Sequence, residues 1–189
     1  MAVEEIARRL KEVSNRSAVS LITDINNYFT AIKEVVKHTE DEDIACVYIT
    51  STIPSTVIKE QLASEGISSD HVLFIDCISY MVGSPSVKSE RVIYVESPTM
   101  LETIMLKVQL AVRQLGDGPK LVFLDSINTL ALHNDDKILS EFIHYLINSL
   151  RVKGIPTVVL SIVDQTPEDL EIILKLVCDE VIEAVGTTE

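Results

Sequence analysis

The stretch Leu121–Leu132, LVFLDSINTLAL, decides the fold. Its first four residues are apolar and run directly into Asp125 and Ser126, and a short unbroken apolar run is typical of a strand buried on both faces. A carboxylate at the end of such a strand lies at the edge of an α/β sheet, where these folds bind ligands. Asp125 is therefore a candidate metal ligand. The alternative is an aspartate that only turns the chain or caps the following segment.

Short apolar stretches recur along the rest of the chain and alternate with segments whose apolar residues fall at helical spacing. This alternation predicts an α/β protein, a three-layer sandwich in which a mainly parallel sheet carries helices on both faces. Since no internal repeat or linker interrupts the pattern, we expect a single domain over residues 1–189, with residues 1–16 as an amino-terminal helix packed on it. The predicted strands are Ala18–Thr23, Ala45–Thr50, His71–Ile78, Arg91–Val95, Leu121–Asp125, Pro156–Val163 and Val181–Val185.

Residues that start and stop helices mark the boundaries between these elements. Thr99 and Glu102 have the spacing of a capping box at the start of a helix. Gly66 and Gly154 are placed to terminate helices. The segment Met81–Glu90 is polar and contains glycine and proline, which predicts a mobile loop.

The overall composition limits the functions that the chain can have. Its formal net charge is −13, and its 16 basic residues are scattered. Because this charge repels phosphate backbones and anionic membrane surfaces, binding to nucleic acid or to a membrane is not expected. The cysteines Cys46, Cys77 and Cys178 are far apart in apolar runs, which is typical of free thiols in a reducing compartment. The amino terminus has no uninterrupted apolar core, so we predict no signal peptide and a cytoplasmic protein.

The order of the elements resembles the RecA/KaiC family of P-loop ATPase domains, and most closely its archaeal KaiC-like members. The resemblance spans roughly residues 18–185. It rests on Ala18–His38, on Val47–Ile49 with the helix that ends at Gly66, on Leu121–Ser126 and on Cys178–Ile182. The last of these is similar to the helix-to-strand turn that closes the family's domain. The resemblance implies a RecA-like fold.

The family's chemistry needs a glycine-rich loop after the first strand, with a lysine and a hydroxyl residue entering the helix to hold phosphate and Mg²⁺. The matching stretch is Thr23–Thr30, TDINNYFT, which has no glycine and no lysine. The degenerate phosphate-loop position consists of Asp24, Asn26, Asn27 and Thr30. Asp24 would repel a phosphate, and Thr30 stands alone at the place of the hydroxyl that binds Mg²⁺. No cofactor is therefore predicted.

The family's chemistry also needs an acidic pair after the second strand, which activates the attacking water, and an aspartate at the end of a later strand. The segment Thr50–Pro54 takes the place of the acidic pair and has no carboxylate. Asp125 and Ser126 match the later strand end. Since Mg²⁺ is normally held jointly with the phosphates of the nucleotide, a lone carboxylate does not make a Mg²⁺ site. Asp125 is thus a candidate metal ligand without the rest of the site, and no catalytic residue is predicted.

These observations favour a non-catalytic KaiC/RecA-like domain, a pseudo-ATPase that acts as a regulatory or protein-interaction module with another protein or a second copy. The alternative is a residual ligand- or metal-binding protein, or an enzyme, that uses carboxylates near strand ends: Asp24, Asp76, Asp125 and Asp164. Parallel strands bring such ends to one edge of the sheet, whereas the four histidines have no metal-ligand spacing. A DNA-binding recombinase relative is a third interpretation, and the acidic balance opposes it.

Overall fold

The computed structural model describes residues 4–83 and 89–186. Within these residues the strands are β1 Ala18–Thr23, β2 Ala45–Thr50, β3 Val72–Asp76, β4 Val92–Tyr94, β5 Lys120–Asp125, β6 Thr157–Ile162 and β7 Glu180–Ala184. The helices are α1 Glu4–Glu12, α2 Tyr28–Asp41, α3 Ser55–Ser64, α4 Ser79–Val82, α5 Leu101–Gln114, α6 Ile127–His133, α7 Asp136–Val152 and α8 Glu168–Val177. Strands and helices alternate along most of the chain, as the sequence pattern predicts.

All these strands form one sheet in the order β4-β3-β2-β5-β6-β1-β7, and each neighbouring pair is parallel. β5 lies at its centre between β2 and β6, and its residues 121–125 are buried. An apolar strand in this position is covered on both faces, which explains its unbroken run of large aliphatic and aromatic residues. The prediction of a mainly parallel α/β sheet with helices on both faces is confirmed.

The core consists of two layers because alternate side chains of each strand point to opposite faces of the sheet. On one face, Tyr48 and Phe123 pack with apolar residues of α1, α2 and α3. On the other face, Ile49 and Leu124 pack with apolar residues of α5, α6, α7 and α8. The helix predicted within residues 1–16 is α1, whose Ile6 is buried. Residues 1–3 of that prediction lie outside the described residues, and the single-domain interpretation stays a prediction.

The structure corrects two details of the sequence interpretation. The predicted capping box at Thr99 is wrong, because α5 begins at Leu101 and the residue before it makes no side-chain cap. The Thr99 hydroxyl lies instead 2.8 Å from the hydroxyl of Ser97. The short helix α6 was not predicted, since its apolar residues continue the apolar run of β5 and hide the boundary. Ser126 caps α6 by accepting a hydrogen bond from the backbone N–H of Thr129.

Glycines end two of the helices, as the sequence predicts. Gly66 follows α3 with φ 75° and Gly154 follows α7 with φ 70°, a left-handed backbone conformation that glycine adopts without a steric penalty. The predicted mobile loop at 81–90 begins with Met81 and Val82 inside α4, and residues 84–88 lie outside the described residues. No helix in the described ranges is long and apolar enough to cross a membrane.

Candidate functional site

Asp125 ends the central strand β5 and is fully buried. Both of its carboxylate oxygens accept hydrogen bonds from tyrosine hydroxyls. The hydroxyl of Tyr28, the first residue of α2, donates to Oδ1, and the hydroxyl of Tyr48 in β2 donates to Oδ2 at 2.6 Å. The carboxylate that sequence reasoning identified as a candidate metal ligand is therefore bound by two side chains of its own chain.

The strand register explains how Tyr48 reaches Asp125. Thr50 of β2 lies opposite Asp125 of β5, so Tyr48, two residues earlier, projects from the same face of the sheet. The Tyr48 ring packs between Phe74 at 5.1 Å and Phe123 at 4.8 Å between ring centroids. These aromatic neighbours hold the ring on both sides and direct its hydroxyl to the end of β5.

The buried environment of Asp125 changes its acidity and that of both tyrosines. Burial raises the pKa of Asp125 to about 6, although the hydrogen bonds from Tyr28 and Tyr48 act in the opposite direction. Burial, followed by the neighbouring negative charge of Asp125, raises the pKa of both tyrosines. The tyrosines therefore stay protonated and keep donating, while Asp125 titrates much closer to neutrality than an ordinary aspartate.

The connection between β1 and α2 consists of residues 24–27 and is held together by Asp24. Its Oδ1 accepts hydrogen bonds from the backbone N–H groups of Asn26 and Asn27, both at 2.9 Å. Its Oδ2 accepts from the Asn27 side-chain amide at 2.8 Å and from the backbone N–H of Gly186 at 2.6 Å. These hydrogen bonds lower the pKa of Asp24, and the bond from Gly186 has the largest effect. The backbone donors near the start of α2 thus bind a carboxylate of the chain itself.

Thr30 lies in the first turn of α2 and is half-buried, while Asn26 is exposed in the connection. The four residues of the predicted phosphate-loop position therefore lie together at the junction of β1 and α2. Thr30 sits two residues after Tyr28, the residue that binds Asp125. The sequence interpretation singled out Thr23–Thr30 and Asp125, but it did not predict the hydrogen bond from Tyr28 to Asp125 that joins them.

Asp76 ends β3 and is also fully buried, yet its surroundings differ from those of Asp125. It accepts hydrogen bonds from the backbone N–H groups of Ser55, Ile78 and Ser79 and from the Ser79 hydroxyl, at 2.7–3.1 Å. Burial acts to raise the pKa of Asp76, but the hydrogen bonds from Ser55 and Ser79 outweigh it and lower the pKa. Asp76 therefore anchors the starts of α3 and α4 as an ionised group.

The strand-end aspartates do not form a cluster suited to a metal. Asp164 is exposed in the turn after β6, with φ 60°. Within residues 4–83 and 89–186 there is no group of three or more histidine, cysteine, aspartate or glutamate side chains that could hold a metal ion. The idea that Asp125 binds a metal stays a prediction. A metal ion that binds this carboxylate would first have to displace the hydroxyls of Tyr28 and Tyr48.

A set of hydroxyl groups lies beside Asp125, and sequence reasoning missed it. The Ser51 hydroxyl donates to the backbone carbonyl of Asp125 at 3.2 Å, and the Thr52 hydroxyl lies 2.8 Å from that of Thr129. The residue in the sequence that could have pointed to the contacts of Asp125 was Tyr48. It places a hydroxyl in the middle of an apolar strand, and a buried tyrosine hydroxyl nearly always needs a hydrogen-bond partner.

The chain is similar in fold to two archaeal proteins of known structure. One is a KaiC-like protein of the hyperthermophile Pyrococcus horikoshii, with TM-score 0.65, 15% identity and coverage of 90% of this chain and 71% of that one. The other is the flagellar accessory protein FlaH of Methanocaldococcus jannaschii, with TM-score 0.69, 9% identity and coverage of 97% and 77%. No family model matches the sequence, and no curated protein matches it.

These likenesses define the fold class. The central parallel sheet with helices on both faces is a RecA-like α/β fold, of the kind found in the KaiC-like protein and in FlaH. At such low sequence identity the likeness extends to the fold alone, because a shared fold does not carry a shared site.

Proposed function

We propose that this protein is a non-catalytic KaiC/RecA-like domain, a pseudo-ATPase that does not bind Mg-ATP and acts as a regulatory or protein-interaction module. The observation that carries the proposal is the double capping of Asp125 by Tyr28 and Tyr48. A strand-end aspartate that helps to hold Mg²⁺ needs a carboxylate oxygen that is free to bind the ion or the water molecules around the ion. Here both oxygens are used within the protein, in a fully buried position.

The junction of β1 and α2 supports the same proposal. A bound nucleotide needs free backbone N–H groups near the start of the helix to receive its phosphates. In this chain the corresponding donors bind the carboxylate of Asp24, whose negative charge also repels phosphate. Tyr28 and its neighbours add bulk where a phosphate loop has glycine. Phosphate binding would require this junction to open and to lose its internal hydrogen bonds.

Isothermal titration calorimetry with Mg-ATP tests the first half of the proposal. We expect no saturable heat, whereas an active P-loop ATPase in the same buffer gives a normal isotherm. Micromolar binding of Mg-ATP by the wild-type protein would contradict the proposal.

A thermal melt with Mn²⁺ or Mg²⁺ tests the alternative, in which Asp125 belongs to a residual metal site. We expect the ion to leave the melting temperature of the wild-type protein unchanged, and to leave that of Asp125→Ala unchanged as well. A metal-dependent rise in the wild-type protein that is absent from the variant would favour the alternative, because a ligand that binds only the folded state raises its stability.

Exposed apolar side chains support the interaction half of the proposal. Leu106 of α5 is 64% exposed, and Ile138 and Tyr145 of α7 are 58% and 57% exposed. They line a groove of about 430 Å³ between the two helices. Contiguous apolar side chains on a surface are typical of protein contacts, whereas single ones are common and need no explanation.

Sedimentation velocity and affinity capture from cell extract test this half. We expect Leu106→Glu to abolish self-association or to remove a protein captured by the wild-type chain. Leu132→Glu is the matched control, because Leu132 on α6 is 82% exposed and does not line the groove. If the wild-type protein is monomeric throughout and both variants capture the same proteins as it does, the α5–α7 groove is not the interaction surface.

A further inference from the structure

A hollow lies on the face of the sheet where the layer of helices ends. On this face α8 packs against α7 on one side, and the sheet continues past α8 to β7 on the other. The hollow has a volume of about 400 Å³, within the usual range for sites that bind small molecules. Its walls are apolar and are formed by Ile22 of β1, Val163 after β6, Leu174 of α8 and Val181 of β7. It shares no lining residue with the α5–α7 groove.

Two serine hydroxyls at the floor of the hollow have no partner. Ser20 of β1 and Ser161 of β6 line the hollow, and each is only 3% exposed. Neither hydroxyl forms a hydrogen bond within residues 4–83 and 89–186. The wholly enclosed polar side-chain atoms that lack a partner in these ranges are Nδ1 of His38 and Oγ of Ser55. The hydroxyls of Ser20 and Ser161 are therefore not sealed in the core, and the hollow gives access to them. Buried polar groups are nearly always hydrogen-bonded, so this pair requires an explanation.

The strand register sets the spacing of the polar groups in the hollow. Ile22 pairs with Ser161 of β6 on one side and with Glu183 of β7 on the other, so these three side chains form one row on the same face of the sheet. Because adjacent strands are about 4.8 Å apart, the backbones of Ser161 and Glu183 lie roughly 10 Å apart. Ser20, two residues before Ile22, points to the same face. The row therefore runs from a hydroxyl, over an aliphatic side chain, to a carboxylate.

The surroundings of the hollow carry a net negative charge. Glu171 and Lys175 of α8 lie 3.7 Å apart and balance each other, and Arg9 of α1 lies 3.8 Å from Glu180 on the other face of β7. Glu183 is exposed and forms no ion pair in the part of the chain that the structure describes. The amino terminus of α8 carries about half a positive charge beside three acidic residues, and its carboxyl terminus adds about half a negative charge. With the helix termini included, the balance stays negative and favours a cation.

We propose that this hollow binds a small organic amine whose apolar body separates a hydrogen-bonding group from an ammonium group. The apolar body packs over Ile22 against Leu174. The hydrogen-bonding group meets the hydroxyls of Ser20 and Ser161, and the ammonium group lies beside Glu183. The proposal does not depend on the absence of nucleotide binding, so either can fail without the other.

A titration with tyramine tests the proposal, because this phenol carries its hydroxyl and its ammonium group at opposite ends of an aromatic body. Phenethylamine lacks the hydroxyl and 4-ethylphenol lacks the ammonium group, so the two analogues separate the two contacts. In ¹H–¹⁵N NMR spectra at constant pH we expect saturable shifts at the amides of residues 20–22, 161–163 and 181–183. The Kd for tyramine should be about 1 mM or lower, and each analogue should bind about three- to fivefold more weakly.

Three variants locate the two ends of the ligand. Ser161→Ala should weaken tyramine binding about three- to fivefold and leave phenethylamine unchanged, because only tyramine has a group that meets the serine hydroxyl. Glu183→Gln should weaken binding of both amines about threefold and leave 4-ethylphenol unchanged. Glu180→Gln is the matched control, since it removes the same charge from the opposite face of the same strand and should change none of the three affinities. Circular dichroism melts confirm that each variant is folded, and the exposed Glu183→Gln keeps the test valid if Ser161→Ala does not fold.

Several results would overturn the proposal. The first is an absence of saturable shifts, or shifts that lie outside the strands and the helix around the hollow. Equal affinity of the wild-type protein for the three compounds would also contradict it, because the polar ends of the ligand would then contribute nothing. Equal weakening by Glu183→Gln and Glu180→Gln would show a general effect of the net charge, and not a contact in the hollow.

Discussion

The two edges of the sheet differ in how their polar groups are satisfied. At the carboxyl edge, the buried Asp125 and Asp76 and the half-buried Asp24 all accept hydrogen bonds from the chain itself. At the amino edge, Nδ1 of the buried His38 has no partner among the described residues, and His38 borders a cavity of about 680 Å³ where β2, β5 and β6 begin. Open α/β sheets usually bind ligands at the carboxyl edge. Unsatisfied polar groups and free volume, and not the fold alone, indicate where a ligand has room.

A second contrast lies within the carboxyl edge. Asp76 and Asp125 are both fully buried, yet the pKa of Asp76 is lowered and that of Asp125 is raised to about 6. Asp76 receives four hydrogen bonds, three of them from backbone N–H groups. The carboxylate of Asp125 receives two, both from tyrosine hydroxyls. The larger number of donors offsets the cost of burying a charge for Asp76, whereas two donors do not offset it for Asp125.

The largest expected effect is that of Asp76→Ala, which leaves several buried donors without an acceptor. We expect the free energy of unfolding to fall by about 3 kcal/mol at pH 7, measured by urea denaturation. Because the pKa of Asp76 is lowered in the folded protein, its contribution is present above its ordinary pKa of 3.8 and is lost as the pH falls below it. Asp70→Ala, at an exposed position, is the control. An equal loss at pH 7 and at pH 3 would contradict the role of the ionised form.

Tyr48→Phe tests the capping of Asp125 directly. The variant removes one of two donors to a buried carboxylate, so we expect a loss of about 2 kcal/mol in unfolding free energy at pH 7. The loss should be smaller at pH 4, where Asp125 is protonated. Tyr145→Phe removes an exposed hydroxyl and should change stability little. If both phenylalanine variants are as stable as the wild-type protein, the hydroxyl does not support the carboxylate.

Asp125→Asn should stabilise the protein at pH 7. The rise in pKa from 3.8 to about 6 corresponds to roughly 3 kcal/mol against the ionised form, and losing an acceptor returns about 1–2 kcal/mol of this. We therefore expect a gain of about 1 kcal/mol in unfolding free energy.

The pH dependence of Asp125→Asn has a defined sign. Since the pKa of Asp125 is raised on folding, its favourable contribution is complete below pH 3.8 and is lost as the pH rises through about 6. The advantage of asparagine should therefore be present at pH 7 and absent at pH 3.5. Chemical denaturation at the two pH values measures it, and equal stabilisation at both would show that ionisation of Asp125 is not the cause.

The smallest expected effect is that of His38→Leu at the amino edge. The change removes a buried polar atom that lacks a partner, so we expect the unfolding free energy to rise by about 0.5–1 kcal/mol and the melting temperature by about 2–4 °C. His144→Leu, at an exposed position of α7, should have no comparable effect. A clear loss of stability in His38→Leu would mean that the imidazole already has a partner in solution.

Much of the fold could be predicted because its signals are local. The predicted bounds of Ala18–Thr23 and Ala45–Thr50 match β1 and β2, since buried strands flanked by polar turns have clear ends. The prediction of a capping box at Thr99 was wrong because the spacing between Thr99 and Glu102 does not by itself determine where a helix starts. The helix α6 was missed because its apolar residues continue those of β5.

The candidate site was predictable only in part. The sequence identified Asp24 and Asp125 as residues of interest and showed that Thr23–Thr30 lacks glycine and lysine. It did not predict that Tyr28 and Tyr48 bind Asp125. The hydroxyl set of Ser51, Thr52 and Thr129 and the unpaired atom of His38 were likewise visible only in three dimensions.

By itself, the sequence determined the alternation of strands with most of the helices, the burial of β5 on both faces and the acidic character of the chain, because periodicity, turn residues and charge are properties of neighbouring residues. Only the tertiary structure decided which groups satisfy one another. Tyr28 and Tyr48 are 97 and 77 residues from Asp125 along the chain. The parallel register of β2 and β5 brings Tyr48 within hydrogen-bond distance, and the packing of α2 against the sheet brings Tyr28. The direction and burial of a side chain depend on this register and packing, and they decide whether a carboxylate is free to bind a ligand.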